Sequence, residues 1–150
     1  MSSGLKGELA VLRVLMRAVE KGWIASRPTR ECRYDLILDD GNILYRVQVK
    51  YCNRRATNAD GAVCLDLTKG GARKPRPYLD KEIDALVVYV VPVDALIWVG
   101  ADIFHGKRHL QIRYTPTKSG QKKGTFMTDD YLWLWRTGRE GRRFKSDQPD

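Results

Sequence analysis

Residues 34–50 have the sequence Tyr-Asp-Leu-Ile-Leu-Asp-Asp-Gly-Asn-Ile-Leu-Tyr-Arg-Val-Gln-Val-Lys. Two runs of β-type sequence flank an Asp-Gly-Asn turn, a strong short-range signal for a β-hairpin. A two-residue Gly-Asn loop sets Asp35 opposite Gln48, and side-chain alternation places Lys50 on the same face as Gln48. Moving the loop by one residue shifts the pairing by two and keeps all three on that face. The hairpin therefore predicts an acid, an amide and a lysine close together.

A carboxylate and a lysine in this arrangement suit metal-assisted hydrolysis of a phosphodiester. Asp35 would hold a hard divalent cation such as Mg²⁺, which prefers few protein ligands and keeps several waters. The cation polarises phosphoryl oxygens and activates water, while Lys50 can orient that water or offset developing charge. The alternative is a cross-strand Asp–Lys ion pair beside a glutamine, a common surface arrangement of small energetic value.

Asp35, the turn and the tripeptide Gln48-Val49-Lys50 together resemble the PD-(D/E)-x-K signature of a nuclease superfamily that includes many restriction enzymes and junction resolvases. The sequence departs from that signature at Tyr34, where the motif has Pro, and at Gln48, where it has Asp or Glu. The second departure removes a metal-binding carboxylate. The resemblance implies that Asp35 and the Val49 carbonyl bind metal. It also implies that Lys50 positions or activates the attacking water, and that Gln48 orients that water or contacts the scissile phosphate.

The region 5–21 is predicted to be a helix, because apolar residues recur at helical spacing: Leu5, Leu9, Leu12, Met16 and Val19. Glu8 lies at the edge of this apolar face, so we expect it to point toward the sheet. Lys6, Arg13 and Arg17 are expected to point away. An acid that faces the core is disfavoured unless it is paired or binds a metal.

Nucleases of this superfamily often carry a Glu on the first helix, and the pair Gly7-Glu8 resembles that element. The resemblance implies that Glu8 assists metal binding directly or through water, which would replace the carboxylate missing at Gln48. The alternative is a Glu at the rim of the sheet, or one paired with Arg46.

Composition favours a polyanionic partner. The chain has 150 residues and a net charge of +9, and its pI is near 9.6. Its length predicts one domain over residues 1–150. It lacks an apolar run of membrane-spanning length and a signal-peptide core, so we expect no membrane partner. Three cysteines without Cys-x-x-Cys spacing are expected to be reduced thiols in a cytoplasmic protein, in the bacterial cytosol or an organelle stroma.

Beyond the hairpin, short strands are expected at 23–26, 62–67, 85–91, 96–99 and 110–114, and a helix at 129–136 capped by Thr128. The run 85–91 is apolar throughout, as in a central buried strand. This order predicts an α/β fold with a restriction-endonuclease-like core, in which helices flank a mixed central β-sheet. Residues 84–99 also resemble the branch of the superfamily related to intron-encoded homing endonucleases of bacterial group I introns.

Basic residues concentrate in two predicted loops, about 69–81 and 106–124, and in a polar C-terminal tail. Several such runs in one basic protein are better explained as a phosphate footprint than as solvated surface. The expected DNA contacts are Arg73, Lys74, Arg76, Lys107, Arg108, Arg113, Lys118, Lys122 and Lys123.

Taken together, these features predict a site-specific endonuclease of double-stranded DNA that depends on Mg²⁺, with Mn²⁺ as a substitute. The resemblance implies products with 5′-phosphate and 3′-hydroxyl ends. A Holliday-junction resolvase is one alternative, and a non-catalytic DNA-binding protein on a decayed nuclease core is another.

Cleavage of both strands needs two sites related by the dyad of duplex DNA, which two-fold symmetric copies of the chain supply most simply. We therefore expect a homodimer, or a homotetramer as the homing-endonuclease resemblance suggests. The candidate interfaces are the aromatic segment 131–135 and the small-residue face of the first helix, taken to be its outer face: Gly7, Ala10, Val14 and Ala18.

Overall fold

The computed structural model describes residues 1–69 and 74–133. Two short 3₁₀ helices, Val91–Val93 and Thr128–Asp130, accompany the main elements. In chain order, these are α1 (Ser3–Glu20), β1 (Ile24–Ser26), β2 (Leu36–Asp39), β3 (Leu44–Cys52), β4 (Ala62–Asp66), β5 (Thr68–Lys69), β6 (Arg76–Pro77), β7 (Ala85–Val90), β8 (Ala95–Gly100), α2 (Ala101–Phe104) and β9 (His109–Arg113).

The central sheet has five strands in the order β1-β2-β3-β7-β8. Strands β3 and β7 are parallel and the other neighbours are antiparallel, so the predicted mixed sheet is confirmed. Every residue of β7 is buried, as the apolar run predicted for a central strand. Strands β4 and β9 form a separate antiparallel pair, which covers part of the sheet face opposite α1.

The predicted hairpin register is confirmed over residues 36–39. Strands β2 and β3 pair from Leu36↔Val47 to Asp39↔Leu44. Asp35 lies just before this ladder, and its N–H bonds the Val47 carbonyl instead of pairing with Gln48 in regular register. The turn is fixed by Asp40, whose Oδ1 accepts hydrogen bonds from the backbone N–H groups of the second and third residues after it. Glycine is required at position 41 because its φ is +99°, in the left-handed region.

Helix α1 forms as predicted but packs on the sheet through a different face. Ala10, Val14 and Ala18 are fully buried, while four of the large apolar side chains are exposed: Leu5, Leu12, Met16 and Val19. The prediction of the buried face was wrong because small residues let the helix backbone approach the sheet closely, and this packing outweighs the burial of larger side chains. The small-residue face is therefore covered by the sheet and is not an outer surface.

The orientation predicted for the charged residues of α1 was wrong for the same reason. Arg13 binds Asp94 at 3.0 Å, and its guanidinium lies 5.0 Å from the ring centroid of Tyr89. Arg17 donates a hydrogen bond to the carbonyl of Trp133. Arg13 and Arg17 therefore join α1 to the sheet and to the segment that runs beside β8 through polar contacts.

The helix predicted at 129–136 is not formed within the described residues. After a single 3₁₀ turn, the chain runs beside β8: Trp98 N–H donates to the Tyr131 carbonyl, and Trp133 N–H donates to the Leu96 carbonyl. This pairing covers the free edge of β8 and buries Trp133 completely. Tyr131 stacks on Phe126, so the described part of the aromatic segment packs within the fold; positions 134–136 lie outside the described residues.

No helix in the described ranges combines the length and apolar character needed to cross a membrane. Cys32, Cys52 and Cys64 are free cysteines in the structure.

Asp84 lies directly before β7 and links the start of this strand to β3. Its carboxylate accepts hydrogen bonds from the backbone N–H, Nε and Nη2 of Arg46, at 2.7, 3.1 and 3.0 Å. Burial acts to raise the pKa of Asp84, but the bonds and charge of Arg46 offset this and lower that pKa below 3.8. The ionised carboxylate therefore stabilises the register of β3 against β7.

We expect Asp84→Asn to lower the free energy of unfolding at pH 7 by about 1–2 kcal/mol, because the pair is over a third exposed and partly screened. Because the pKa of Asp84 is depressed in the folded state, this stabilisation is complete only above about pH 5 and is lost progressively as the pH falls through the folded-state pKa. Urea unfolding at pH 7 and at decreasing pH measures both effects. The matched control is Asp80→Asn, whose carboxylate is largely exposed and should change stability by less than about 0.5 kcal/mol.

Candidate active site

Asp35 lies where strand β2 begins, and its position is fixed from both sides. Its backbone N–H donates to the Val47 carbonyl at 2.9 Å, and its Oδ2 accepts a hydrogen bond from the Val49 N–H at 3.0 Å. The carboxylate thus accepts the Val49 N–H, which a backbone carbonyl would accept if β2 began earlier in the chain. This arrangement holds the acid at the N-terminal end of β2, beside the middle of β3.

The same hydrogen bond gives the direction of the Val49 carbonyl. In an extended strand, the N–H and C=O of one residue point to the same side. Because the Val49 N–H points toward Asp35, the Val49 carbonyl oxygen points to that side as well. Its expected role as a metal ligand is compatible with this direction.

Gln48 and Lys50 lie on the sheet face opposite α1, since α1 covers the face that carries Val47 and Val49. The side chain of Gln48 is buried, with 8% of the residue exposed. Among the described residues, its Oε1 has no hydrogen-bond partner. A buried amide oxygen without a partner costs free energy, and such atoms call for an explanation in water, ligand or catalysis.

Lys50 extends from this face into a defined environment. Its Nζ donates to the Thr68 carbonyl at 3.4 Å and lies 5.1 Å from the ring centroid of Tyr78. Asp66 is also nearby: burial acts to raise the pKa of Asp66, but hydrogen bonds from Thr68 and the charges of Lys50 and His109 lower it below 3.8. The ammonium group is therefore held at the boundary between β3 and the β4–β5 segment.

Tyr78 belongs to this site and was not predicted from the sequence. It follows β6 and is fully buried, and its ring lies beneath Lys50. Burial raises the pKa of the Tyr78 phenol, Arg33 lowers it, and the charges of Asp35 and Asp66 raise it further. The phenol is thus within electrostatic reach of the acid of the hairpin. The residue stands in a polar loop rich in Pro and charge, so only its tertiary position identifies it.

Glu8 is placed differently from the expectation. It is exposed, and its Oε1 lies 3.2 Å from Arg27 Nη2. The predicted orientation toward the core is wrong, because the face of α1 that carries Glu8 is the solvent face. The alternative of a Glu at the rim is the one the structure shows, with Arg27 rather than Arg46 as its partner.

The basic residues predicted to contact DNA fall into three groups. Lys74, Lys107, Arg108, Lys118, Lys122 and Lys123 are exposed. Arg76 is exposed but bound to Glu82 at 2.6 Å. Arg113 differs from the expectation: it is buried, and its guanidinium donates to the backbone carbonyls of Thr115 and Asp60. Its role is to hold the loop that follows β9, so it does not lie on the surface. Arg73 and the tail from position 137 onward lie outside the described residues.

An open cleft of about 240 Å³ lies beside the Lys50 side chain. Strand β3 and the residues after it form one wall, and the β4–β9 pair forms the other. Its lining residues are Lys50, Tyr51, Cys52, Asn53, Arg54, Cys64, Leu65, Asp66 and His109. The cleft gives an extended ligand access to the ammonium group.

The oxygen donors of the site fit a hard divalent cation. Within residues 1–69 and 74–133, no three His, Cys, Asp or Glu side chains are grouped as metal ligands. Mg²⁺ does not require such a group, because it binds through one or two carboxylates and keeps several waters. The Asp35 carboxylate and the Val49 carbonyl, which points to the same side, are oxygen donors of the required kind.

Comparison with known proteins agrees with this geometry. A comparison with curated protein sequences found no significant match. Among solved structures, the bacterial homing endonuclease I-Ssp6803I is similar, with a TM-score of 0.70 and 26% sequence identity over 88% of this chain and 89% of the other. The predicted restriction-endonuclease-like fold is thereby confirmed. The model of the PD-(D/E)XK endonuclease family matches residues 1–134. The chain therefore belongs to the PD-(D/E)XK endonuclease family.

Proposed function

We propose that this DNA endonuclease cleaves double-stranded DNA at specific sites by hydrolysis that depends on Mg²⁺, with Mn²⁺ as a substitute. The observation that carries the proposal is the arrangement at the end of β2. The Asp35 carboxylate is bonded to the Val49 N–H, and the residues on either side of Val49 in β3, Gln48 and Lys50, project from one face of the sheet. Among the described residues, the buried Oε1 of Gln48 has no hydrogen-bond partner. A buried amide oxygen without a partner calls for an explanation, which a bound water or ligand would supply. The similarity to a homing endonuclease supports a long, specific DNA target.

In the proposed reaction, water attacks the phosphorus and the bond to the 3′-oxygen breaks. The 3′-oxygen takes up a proton, so the products carry 5′-phosphate and 3′-hydroxyl ends. A divalent cation, when bound by Asp35 and the Val49 carbonyl, would polarise the phosphoryl oxygens and lower the pKa of water. Lys50, held by the Thr68 carbonyl, positions the water and offsets the charge that develops on phosphate.

Gln48 has a role that its buried position supports. Its Oε1 accepts a hydrogen bond from the attacking water and orients that water toward the phosphorus. An amide can do this without the charge repulsion that a second carboxylate would add beside Asp35 in the absence of a cation. The substitution of the motif acid by Gln48 is therefore compatible with catalysis.

We further propose that Glu8 assists through water. Strand β1 ends its pairing at Ser26↔Ile37, so Arg27 follows at the level of Leu36, next to Asp35. Arg27 thus holds Glu8 at the end of the sheet that carries the site. Helix α1 lies on the other sheet face from Lys50, which favours a contact through water over direct ligation.

The phosphate footprint is proposed to include the exposed loop between β9 and the last 3₁₀ turn, with Lys118, Lys122 and Lys123. Replacing each lysine singly by Gln should weaken binding for any DNA sequence and reduce the slope of log K against log salt by about 0.9 for each phosphate that is no longer neutralised. Binding titrations from low to high salt measure the slope. The control is Lys21→Gln, which makes the same charge change at the C-terminus of α1, near the opposite end of the hairpin. An equal change in that control would contradict a local footprint.

Self-association is proposed to use the exposed face of α1 that carries Leu5, Leu12, Met16 and Val19, between 51% and 76% exposed. Large apolar side chains aligned on one helix face favour a partner, and a second copy of the chain meets the need for two cleavage sites. The double variant Leu12→Glu/Met16→Glu should reduce the mass measured by light scattering to that of one 17.2 kDa chain.

Leu44→Glu/Ile24→Glu is the matched control for the interface, because it introduces the same two negative charges at exposed apolar residues of β3 and β1. It should leave the mass of the oligomer unchanged. A wild-type mass of a single chain at micromolar concentration would contradict the proposed assembly.

The substrate is tested by incubation with randomised linear duplex DNA and, separately, with a synthetic four-way junction. Sequencing of the ends produced with Mg²⁺ should recover one preferred linear site. Cleavage of the junction alone, whatever its sequence, would instead indicate a resolvase. Binding that is sensitive to salt, without cleavage in Mg²⁺ or Mn²⁺, would indicate a non-catalytic DNA-binding protein.

A further inference from the structure

The cleft beside Lys50 continues beyond the end of β3. Lys50 lies within the strand, whereas Asn53 and Arg54 follow it directly, and all three residues line the same open space. Four residues of extended chain span at most about 14 Å. The cleft therefore leads from the candidate catalytic lysine to a second basic residue a short distance away.

The backbone at Arg54 is held in place, although its side chain is exposed. The Arg54 carbonyl accepts a hydrogen bond from the Cys64 N–H at 2.8 Å. The next residue, Arg55, forms an antiparallel bridge with Val63. These contacts tie the segment after β3 to β4, so the fold sets the position of Arg54 beside the cleft.

The charge of Arg54 has no acidic partner among the described residues. Its neighbour Arg55 differs, because the Nη2 of Arg55 lies 2.6 Å from Asp60 Oδ1. The acid that lines the cleft, Asp66, accepts hydrogen bonds from the Thr68 N–H and hydroxyl at 2.8 and 2.7 Å. A cation that lines a cleft and is not neutralised by the protein attracts an anionic ligand.

We propose that the cleft holds the backbone of the DNA strand that is cut at Lys50, and that Arg54 binds a phosphate of this strand within about four nucleotides of the scissile one. This inference rests on the proposed function, because Lys50 then marks the position of the scissile phosphate. A DNA strand carries one phosphate for about each 3.4 Å of helix axis, so about 14 Å corresponds to about four nucleotides. The planar guanidinium binds phosphate oxygens through two parallel N–H donors. Arg54 thereby fixes the register of the strand against Lys50.

The test combines Arg54→Gln with DNA in which single phosphates are replaced by uncharged methylphosphonates. The duplex carries the site recovered from the randomised library, and each phosphate around the cut is replaced in turn. Binding is measured in EDTA, so that cleavage does not contribute. We expect one replacement within about four nucleotides of the cut, on the same strand, to weaken binding of the wild type about tenfold. Arg54→Gln should bind unmodified DNA about tenfold more weakly, and that replacement should have no further effect on it.

Arg55→Gln is the matched control, because it removes the same charge from the adjacent exposed residue, which is bound to Asp60. It should change the affinity by less than about twofold. It should also remain sensitive to the replacement that no longer affects Arg54→Gln.

The outcomes separate the two proposals. If Arg54→Gln shows the same profile of sensitivity as wild type while Asp35→Asn is inactive, the inference is overturned and the proposed function stands. A coupled phosphate that lies a full helical turn or more from the nearest cut would also overturn the inference, because Arg54 and Lys50 line one cleft. If Asp35→Asn cleaves like wild type, the proposed function fails and the inference fails with it.

Discussion

Asp35→Asn is expected to reduce the rate of DNA cleavage by about 10³-fold or more while the protein stays folded. The carboxylate supplies the charge that holds the cation, and charge stabilisation by a bound metal contributes several kcal/mol to such a transition state. Each 1.36 kcal/mol corresponds to a factor of ten in rate. The amide of Asn keeps an oxygen that can accept the Val49 N–H, so the end of β2 retains its local structure.

Lys50→Ala should lower the same rate by about 10²- to 10⁴-fold, since it removes the group that positions water and offsets charge. Single-turnover cleavage at saturating DNA measures both variants. The control is Asp80→Asn, which makes the same charge change as Asp35→Asn at an exposed residue and should cleave like wild type. Wild-type rates for Asp35→Asn and Lys50→Ala would exclude this site.

Gln48→Leu is the second substitution with a large expected effect, and it should change activity and stability in opposite directions. Loss of the oxygen that orients the water is expected to slow cleavage by about 10²-fold or more. The same change removes a buried oxygen without a partner, so the free energy of unfolding should stay the same or rise by about 1 kcal/mol. Urea unfolding and single-turnover cleavage measure the two effects on the same protein.

Gln48→Glu is the informative comparison, because it keeps the shape and restores the acid of the family motif. We expect cleavage within about tenfold of wild type. We also expect lower stability without divalent cations and a rise in thermal midpoint on adding Mg²⁺, since a buried carboxylate is costly until a cation pairs with it. If Gln48→Leu is fully active, Gln48 has no part in the reaction.

Local chemistry made the hairpin predictable. The turn residues at 39–42 specify where the chain reverses, and a period of two then fixes which side chains share a face. The pairing of β2 with β3 therefore follows from the sequence alone, and the observed register agrees with it from Leu36↔Val47 to Asp39↔Leu44. The apolar run of β7 was equally informative, because it needs burial on both faces.

Features that depend on packing between elements were predicted poorly. The periodicity of α1 identified a helix, but the sequence offers two faces that could pack on the sheet. One carries large apolar residues and the other carries small ones. The choice depends on how closely the sheet approaches. The predicted orientation of Glu8 was wrong for this reason. Arg113 was assigned to the surface because one of its carbonyl partners, Asp60, lies 53 positions earlier in the chain.

Tyr78 was overlooked for a related reason. Its loop has no periodicity, and the cations that flank it come from Arg33 and Lys50, 45 and 28 positions earlier in the chain. Side chains that are brought to a site only by tertiary contacts leave no local signal. An unpaired buried hydroxyl is visible in the structure alone.

The central claim is that Asp35, Gln48 and Lys50 form a site for metal-dependent hydrolysis of DNA. It is tested most directly by end-group analysis of DNA cleaved by the wild-type protein with Mg²⁺ and with EDTA. We predict cleavage only with Mg²⁺, and products that carry 5′-phosphate and 3′-hydroxyl ends. Cleavage that continues in EDTA, or products with 3′-phosphate ends, would contradict the account.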